Sequence, residues 1–322
     1  QQNGLNKACA QVALRSLFAQ LSPPLDVSYE QINKIAATIP LRSPFNPGKG
    51  LTVQQIRAVL DGFRISYTDI DYSRENLTYR NSLPYQKFVY AGVESGSGAL
   101  LGFEFAGPQA RGRRHIIPFF GHTFNQDTWV PNAEGAYFRV GNQTKYIPSD
   151  AWLESFIGHD DNFGSNFCVP KLYILPPQAQ YVVAINPRGC KYDGVRAEAI
   201  ASEYLYSLLP DLSATTNDWL NRLIDYAKRQ QLVLRAVALT KSAYLHHLRT
   251  LQDWNNRIEY RFTCETFANH IPRFLYMVEV SIPELFPINK RKVGEILLDA
   301  RFMPSSTLDF KTFVFARFPY RY

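Results

Sequence analysis

The chain is constrained most by a change of hydrophobic period near residue 63. Before it, apolar residues recur at three- and four-residue steps, the spacing that buries one face of a helix. Val12, Ala13, Leu14, Leu17 and Phe18 mark a helix over 8–20, ended by Ser22-Pro23-Pro24. Tyr29, Ile32, Ile35 and Ala36 mark a second over 28–37. A turn-rich run from Pro44 to Gly50 precedes a third over 51–60, with Thr52 placed to cap it and Gly62 after its end. Beyond it, apolar runs of strand length take over at 88–93, 99–105 and 115–122. Helices followed by a sheet over about 165 residues predict an α+β unit.

The second half has a different texture. The pattern predicts a strand running into a linker at 171–177, a strand at 181–185, and helices at 195–209 and 217–228. A strand at 232–239, a helix at 242–253 and strands at 274–282 and 311–318 complete a mixed α/β region. The chain is therefore divided into domains at 1–175 and 176–322, the second forming its own domain or extending the first sheet. The second half carries no nameable motif. Its expected role is to narrow access to a site in the first half and so set substrate choice.

Composition excludes several classes. Hydrophobic content of 46% with 14% aromatic residues belongs to a packed globular chain. No uninterrupted apolar run approaches the roughly 20 residues of a membrane span, so a soluble protein is expected. The net charge of +7 is spread along the chain, with short clusters at Arg111-Arg113-Arg114 and Lys290-Arg291-Lys292. A solvated surface explains that distribution better than a nucleic-acid stripe. Cys9, Cys168, Cys190 and Cys264 are far apart without a CxxC pair, which argues against a zinc ribbon or a disulfide scaffold. A reducing, cytoplasmic compartment fits. Because the chain begins at Gln1 without Met, an N-terminal targeting segment stays open.

The candidate chemistry starts at Cys9, where a polar loop gives way to the first helix pattern. A thiol at a helix N-terminus feels the partial positive charge of unpaired N–H groups, which favours the nucleophilic thiolate. A thiolate nucleophile also needs a base within reach and a third group to orient that base. His115 opens an apolar strand directly after a Gly/Arg loop, where an imidazole can face a cleft. Asp160 and Asp161 end another apolar strand, and strand alternation allows only one of them to share a face with the imidazole. Asp-Asp-Asn before Gly164 is equally the composition of a plain turn. His246, His247 and His270 read as surface or helix-packing residues. A metal phosphohydrolase built on His122, Asp127, His159 and Asp160 is the rival reading, but such ligands usually sit on packed helices. No metal and no cofactor is assigned.

The order of Gln2, Cys9 on a helix, the helix motif Gly50-Leu51-Thr52-Val53-Gln54-Gln55-Ile56, and a strand running from His115 to Gly121 resembles the papain-like cysteine peptidases. It looks closest to the bacterial branch that includes the double-glycine leader peptidases. The resemblance covers roughly residues 1–170. It implies a papain-like domain in which the nucleophile helix packs on an antiparallel sheet, with Cys9 as nucleophile and His115 as general base and acid. It further implies Asp160, or next Asp161, as the third member. Asn132 competes, because its 17-residue distance from His115 is nearer the family spacing. Gln2 or Asn3 would complete the oxyanion hole beside the Cys9 N–H. The interval from His115 to Asp160 must hold an insertion, with a helix over 149–156 as its expected content. The implied substrate is a peptide or protein, cleaved at a peptide or isopeptide bond by hydrolysis or acyl transfer. A catalytically silent papain-like binding module is the alternative.

Overall fold

A computed structural model describes residues 8–40, 50–75, 82–105, 114–125, 129–135, 144–211, 216–250, 268–288, 291–304 and 311–318. In chain order the elements are α1 (Cys9–Ala19), α2 (Tyr29–Ala36), α3 (Val53–Gly62), β1 (Tyr67–Asp71), α4 (Tyr85–Glu94), β2 (Ala99–Glu104) and β3 (Arg114–Phe124). Next come β4 (Glu134–Gly135), β5 (Lys145–Pro148), β6 (Leu153–Asp160), β7 (Gly164–Pro170) and β8 (Ala179–Ile185). The chain continues through α5 (Gly194–Leu208), α6 (Asp218–Lys228), β9 (Val233–Thr240) and α7 (Lys241–Thr250). It closes with β10 (Phe274–Ser281), β11 (Gly294–Asp299) and β12 (Phe313–Arg317).

Two compact units result, one formed by Gln1–Asn125 with Trp152–Arg188, the other by Gln126–Ala151 with Gly189–Tyr322. The fold is mixed α and β, with one antiparallel and one mixed sheet. Among the described residues no helix is long and apolar enough to cross a membrane.

In the first unit six antiparallel strands run in the order β1-β8-β2-β3-β6-β7. The first three helices bury one stripe each against this sheet. Leu14, Leu17 and Phe18 of α1, Ile32 of α2 and Ile56, Val59 and Leu60 of α3 share a core with Leu100, Ile116 and Val183. Both α2 and α3 start with a reciprocal capping box. Ser28 and Gln31 exchange side-chain and backbone hydrogen bonds, as do Thr52 and Gln55. Helix α1 differs, since Ala8 precedes it and supplies no side-chain cap.

The second unit has strand order β12-β11-β10-β9-β5-β4, with β5 and β9 parallel. Alternation along its strands separates two cores. Tyr276, Val278 and Val280 share the larger core with residues of α5 and α6, while Leu275, Met277 and Leu297 pack with Tyr244 and Leu248 of α7. At one point the sheet buries a carboxylate completely. Glu295 accepts from Arg317 Nε at 2.9 Å, Lys292 Nζ at 2.6 Å and Tyr244 Oη at 2.5 Å. Those partners offset the cost of desolvating it.

Four expectations need correction. Residues 88–93 belong to α4 rather than to a strand: Tyr85–Val93 are buried at every position, so neither period shows in the sequence. The strand expected at 171–177 ends earlier, at Pro170, where Tyr173 N–H closes a turn onto the Pro170 carbonyl and leaves Leu172 and Tyr173 exposed. The helix expected over 149–156 is a 3-10 turn, Ser149–Trp152, followed at once by β6. Finally, the boundary at 175 falls inside the first unit. Strand β8 lies between β1 and β2, so a fragment ending before residue 180 would lose an interior strand.

The inserted segment is Gln126–Ala151, which leaves the first unit after β3 and adds β4 and β5 to the second sheet before the chain returns as β6. Strands β3 and β6 then pair antiparallel, Phe119 opposite Gly158. This register brings the start of β3 beside the end of β6. Close approach depends on Gly158, where an added Cβ would lie 2.8 Å from the Pro118 carbonyl oxygen and 2.9 Å from Ile117 Cγ2. Gly158→Ala should therefore lower stability by about 1–3 kcal/mol, because a backbone oxygen cannot give way as a side chain can. Urea unfolding measures it, and a midpoint equal to the parent's would contradict this account of the strand pair.

Candidate active site

Three elements deliver the candidate side chains. Cys9 is the first residue of α1, His115 the second of β3, and Asp160 the last of β6. The His115 ring hydrogen-bonds the Asp160 carboxylate, and the Cys9 thiol is close enough to the ring to act on its protonation. Its Nε2 lies 3.0 Å from Asp160 Oδ2 and 3.5 Å from Asp161 Oδ1. The three polar side chains are nearly closed to solvent, at 6%, 3% and 6% exposure for His115, Asp160 and Asp161.

Asp160 is held from both sides. Its Oδ2 faces the imidazole, while Oδ1 accepts the backbone N–H groups of Asn162 at 2.8 Å and Phe163 at 3.4 Å. The turn suggested by Asp-Asp-Asn is therefore real, and it anchors the carboxylate instead of competing with the functional reading. Asp161 also approaches the ring, contrary to the alternation argument. The strand ends at Asp160, so Asp161 lies in the turn, where alternate facing no longer holds.

Burial opposes charge on the His115 ring, but hydrogen bonds and charge from Asp160 and Cys9 outweigh it and raise its pKa to about 10. Burial likewise raises the Asp160 carboxyl, but the His115 hydrogen bond and the Asn162 N–H overcome this and leave it below its ordinary value. Two aromatic rings flank the imidazole. Phe103, paired opposite His115 in the β2–β3 register, meets it edge-on at 5.9 Å, and Phe105 stacks at 6.1 Å. These neighbours were missed in the sequence, although alternation along 99–105 would have placed them once the register was known.

Asn132 is an exposed loop residue before β4 and belongs to the second unit, so its favourable spacing in sequence does not place it on the sheet that carries His115. Gln2, Asn3, Asp127 and Cys264 lie outside the described residues. His122 engages Glu94 at 2.5 Å between Tyr90 and Phe124, and it does not join Asp160. His159 precedes Asp160 on β6 and is also absent from the cluster. Cys168 is exposed on β7, and burial pushes the Cys190 thiol up to about 12.

A ring that keeps its proton to about pH 10 when folded, but releases it near 6.5 when unfolded, stabilises the fold fully below 6.5. That contribution is lost as pH rises through about 10. Proton NMR of the His115 ring should give a high midpoint in the parent and lower midpoints in Cys9→Ser and Asp160→Asn. Midpoints unmoved by both changes would contradict the assigned causes.

Comparison with family models, with curated proteins and with solved structures yields no match to this chain.

Proposed function

We propose that this chain is a papain-like cysteine hydrolase that cleaves a peptide or isopeptide bond through Cys9, His115 and Asp160. The observation that carries the reading is a buried imidazole hydrogen-bonded to a carboxylate, with a thiol at a helix start close enough to act on the ring's charge. The antiparallel sheet with α1 packed on β3, and the placement of Asp160 on the strand next to His115, support the papain-like form.

The chemistry follows from the contacts. With Nε2 engaged by Asp160, Nδ1 is the ring nitrogen left for the thiol. Asp160 fixes the tautomer and orientation of the ring and stays ionised while the ring gains and loses its proton. Cys9 sulfur attacks the carbonyl carbon, giving a tetrahedral oxyanion. The uncapped start of α1 offers the Cys9 N–H to that oxygen, with Gln2 or Asn3 as the expected second donor. His115 then protonates the departing amine, leaving a thioester on Cys9. Water, deprotonated by His115, releases the acid and restores the thiol. An amine in place of water would give acyl transfer by the same residues.

Incubation with a peptide carrying an electrophilic carbonyl warhead tests the proposal by intact mass. One covalent adduct, mapped to Cys9, is expected. It should disappear in Cys9→Ala and form at least about 100-fold more slowly in His115→Ala. Labelling spread over Cys9, Cys168 and Cys190 at similar rates, or unaffected by His115→Ala, would overturn the assignment.

A further inference from the structure

The catalytic reading uses Asp160 and leaves Asp161 unexplained. Asp161 is almost fully buried, its Oδ1 takes a long hydrogen bond from Asn162 Nδ2 at 3.3 Å, and its Oδ2 is buried with no hydrogen-bond partner. A buried carboxylate oxygen without a donor is costly, and costlier still beside a second carboxylate. A cation held between the carboxylates would give Asp161 the partner that the protein does not supply.

Ligand geometry agrees. One atom each from His115, Asp160 and Asp161 lies within 4.8 Å of the other two. Two edges of this triangle, 3.0 Å from His115 Nε2 to Asp160 Oδ2 and 3.5 Å to Asp161 Oδ1, bracket the roughly 3.4 Å edge of a tetrahedron with about 2.0–2.1 Å metal–ligand bonds. One imidazole and two carboxylates suit a borderline divalent ion, and three protein ligands leave a fourth position for water. We propose that His115, Asp160 and Asp161 form a binding site for a divalent transition-metal ion, zinc in the first instance.

The exchange balances simply. The metal takes the Nε2 lone pair, the Nε2 proton leaves to solvent, and Asp160 changes from accepting that proton to ligating the ion. No covalent bond of the chain breaks and nothing is oxidised. The metal affinity does not rest on the hydrolase reading.

Isothermal titration of the full chain with zinc chloride separates the two. One ion per chain is expected in the parent and in Cys9→Ser, because the thiol is not a ligand. Asp161→Asn should weaken binding at least about tenfold, and His115→Gln should abolish it. The parent titrated with cobalt(II) provides a readout free of any substitution: ligand-field bands should appear without a thiolate charge-transfer band. Absence of saturable binding, binding lost in Cys9→Ser, affinity unchanged by Asp161→Asn, or a thiolate band would each overturn the metal site. Zinc binding without a Cys9 adduct in the warhead experiment would sink the hydrolase reading alone. An adduct without zinc binding would sink the metal site alone.

Discussion

The hydrogen bond between His115 and Asp160 is the contact on which the site depends. It closes between the beginning of one strand and the end of its neighbour, inside a region almost without solvent. In such a medium an unpartnered imidazole or carboxylate would be expensive, so the two groups specify each other. The bond in turn requires the β3–β6 register, the narrow approach at Gly158, and the turn whose N–H groups hold Asp160. Helix α1 packs on β3 through the core that includes Ile116, and its first residue, Cys9, lies near enough to the ring to act on its protonation.

Much of this was legible in the chain where one period dominates. The three N-terminal helices show in their apolar stripes, and the Ser28/Gln31 and Thr52/Gln55 pairs announce two of the starts. Cys9, His115 and Asp160 could be singled out because each sits at the edge of an apolar element, where a polar side chain can reach a cleft. Legibility fails where burial is complete on all sides. The apolar run of α4 carries no alternation and no helical stripe, and residues 294–299 of β11 are buried throughout and were not recognised as a strand.

The choice between Asp160, Asp161 and Asn132 shows a different limit. Spacing along the chain favoured Asn132, but 126–151 departs into the second sheet, so distance in sequence loses its meaning there. Alternation separated Asp160 from Asp161 only as long as the strand was assumed to continue. Once the strand stops at Asp160, the turn places both carboxylates near the ring.

If Cys9, His115 and Asp160 act as one unit, their losses cannot multiply. The direct measurement is the rate of adduct formation at Cys9 with a peptidyl electrophile in the parent, His115→Ala, Asp160→Ala and the double variant. Asp160→Ala is expected to slow the reaction markedly in the parent background, whereas removing Asp160 from His115→Ala changes almost nothing further. Independent, multiplicative losses in the double variant would show that the aspartate does not work through the imidazole, and would contradict the account.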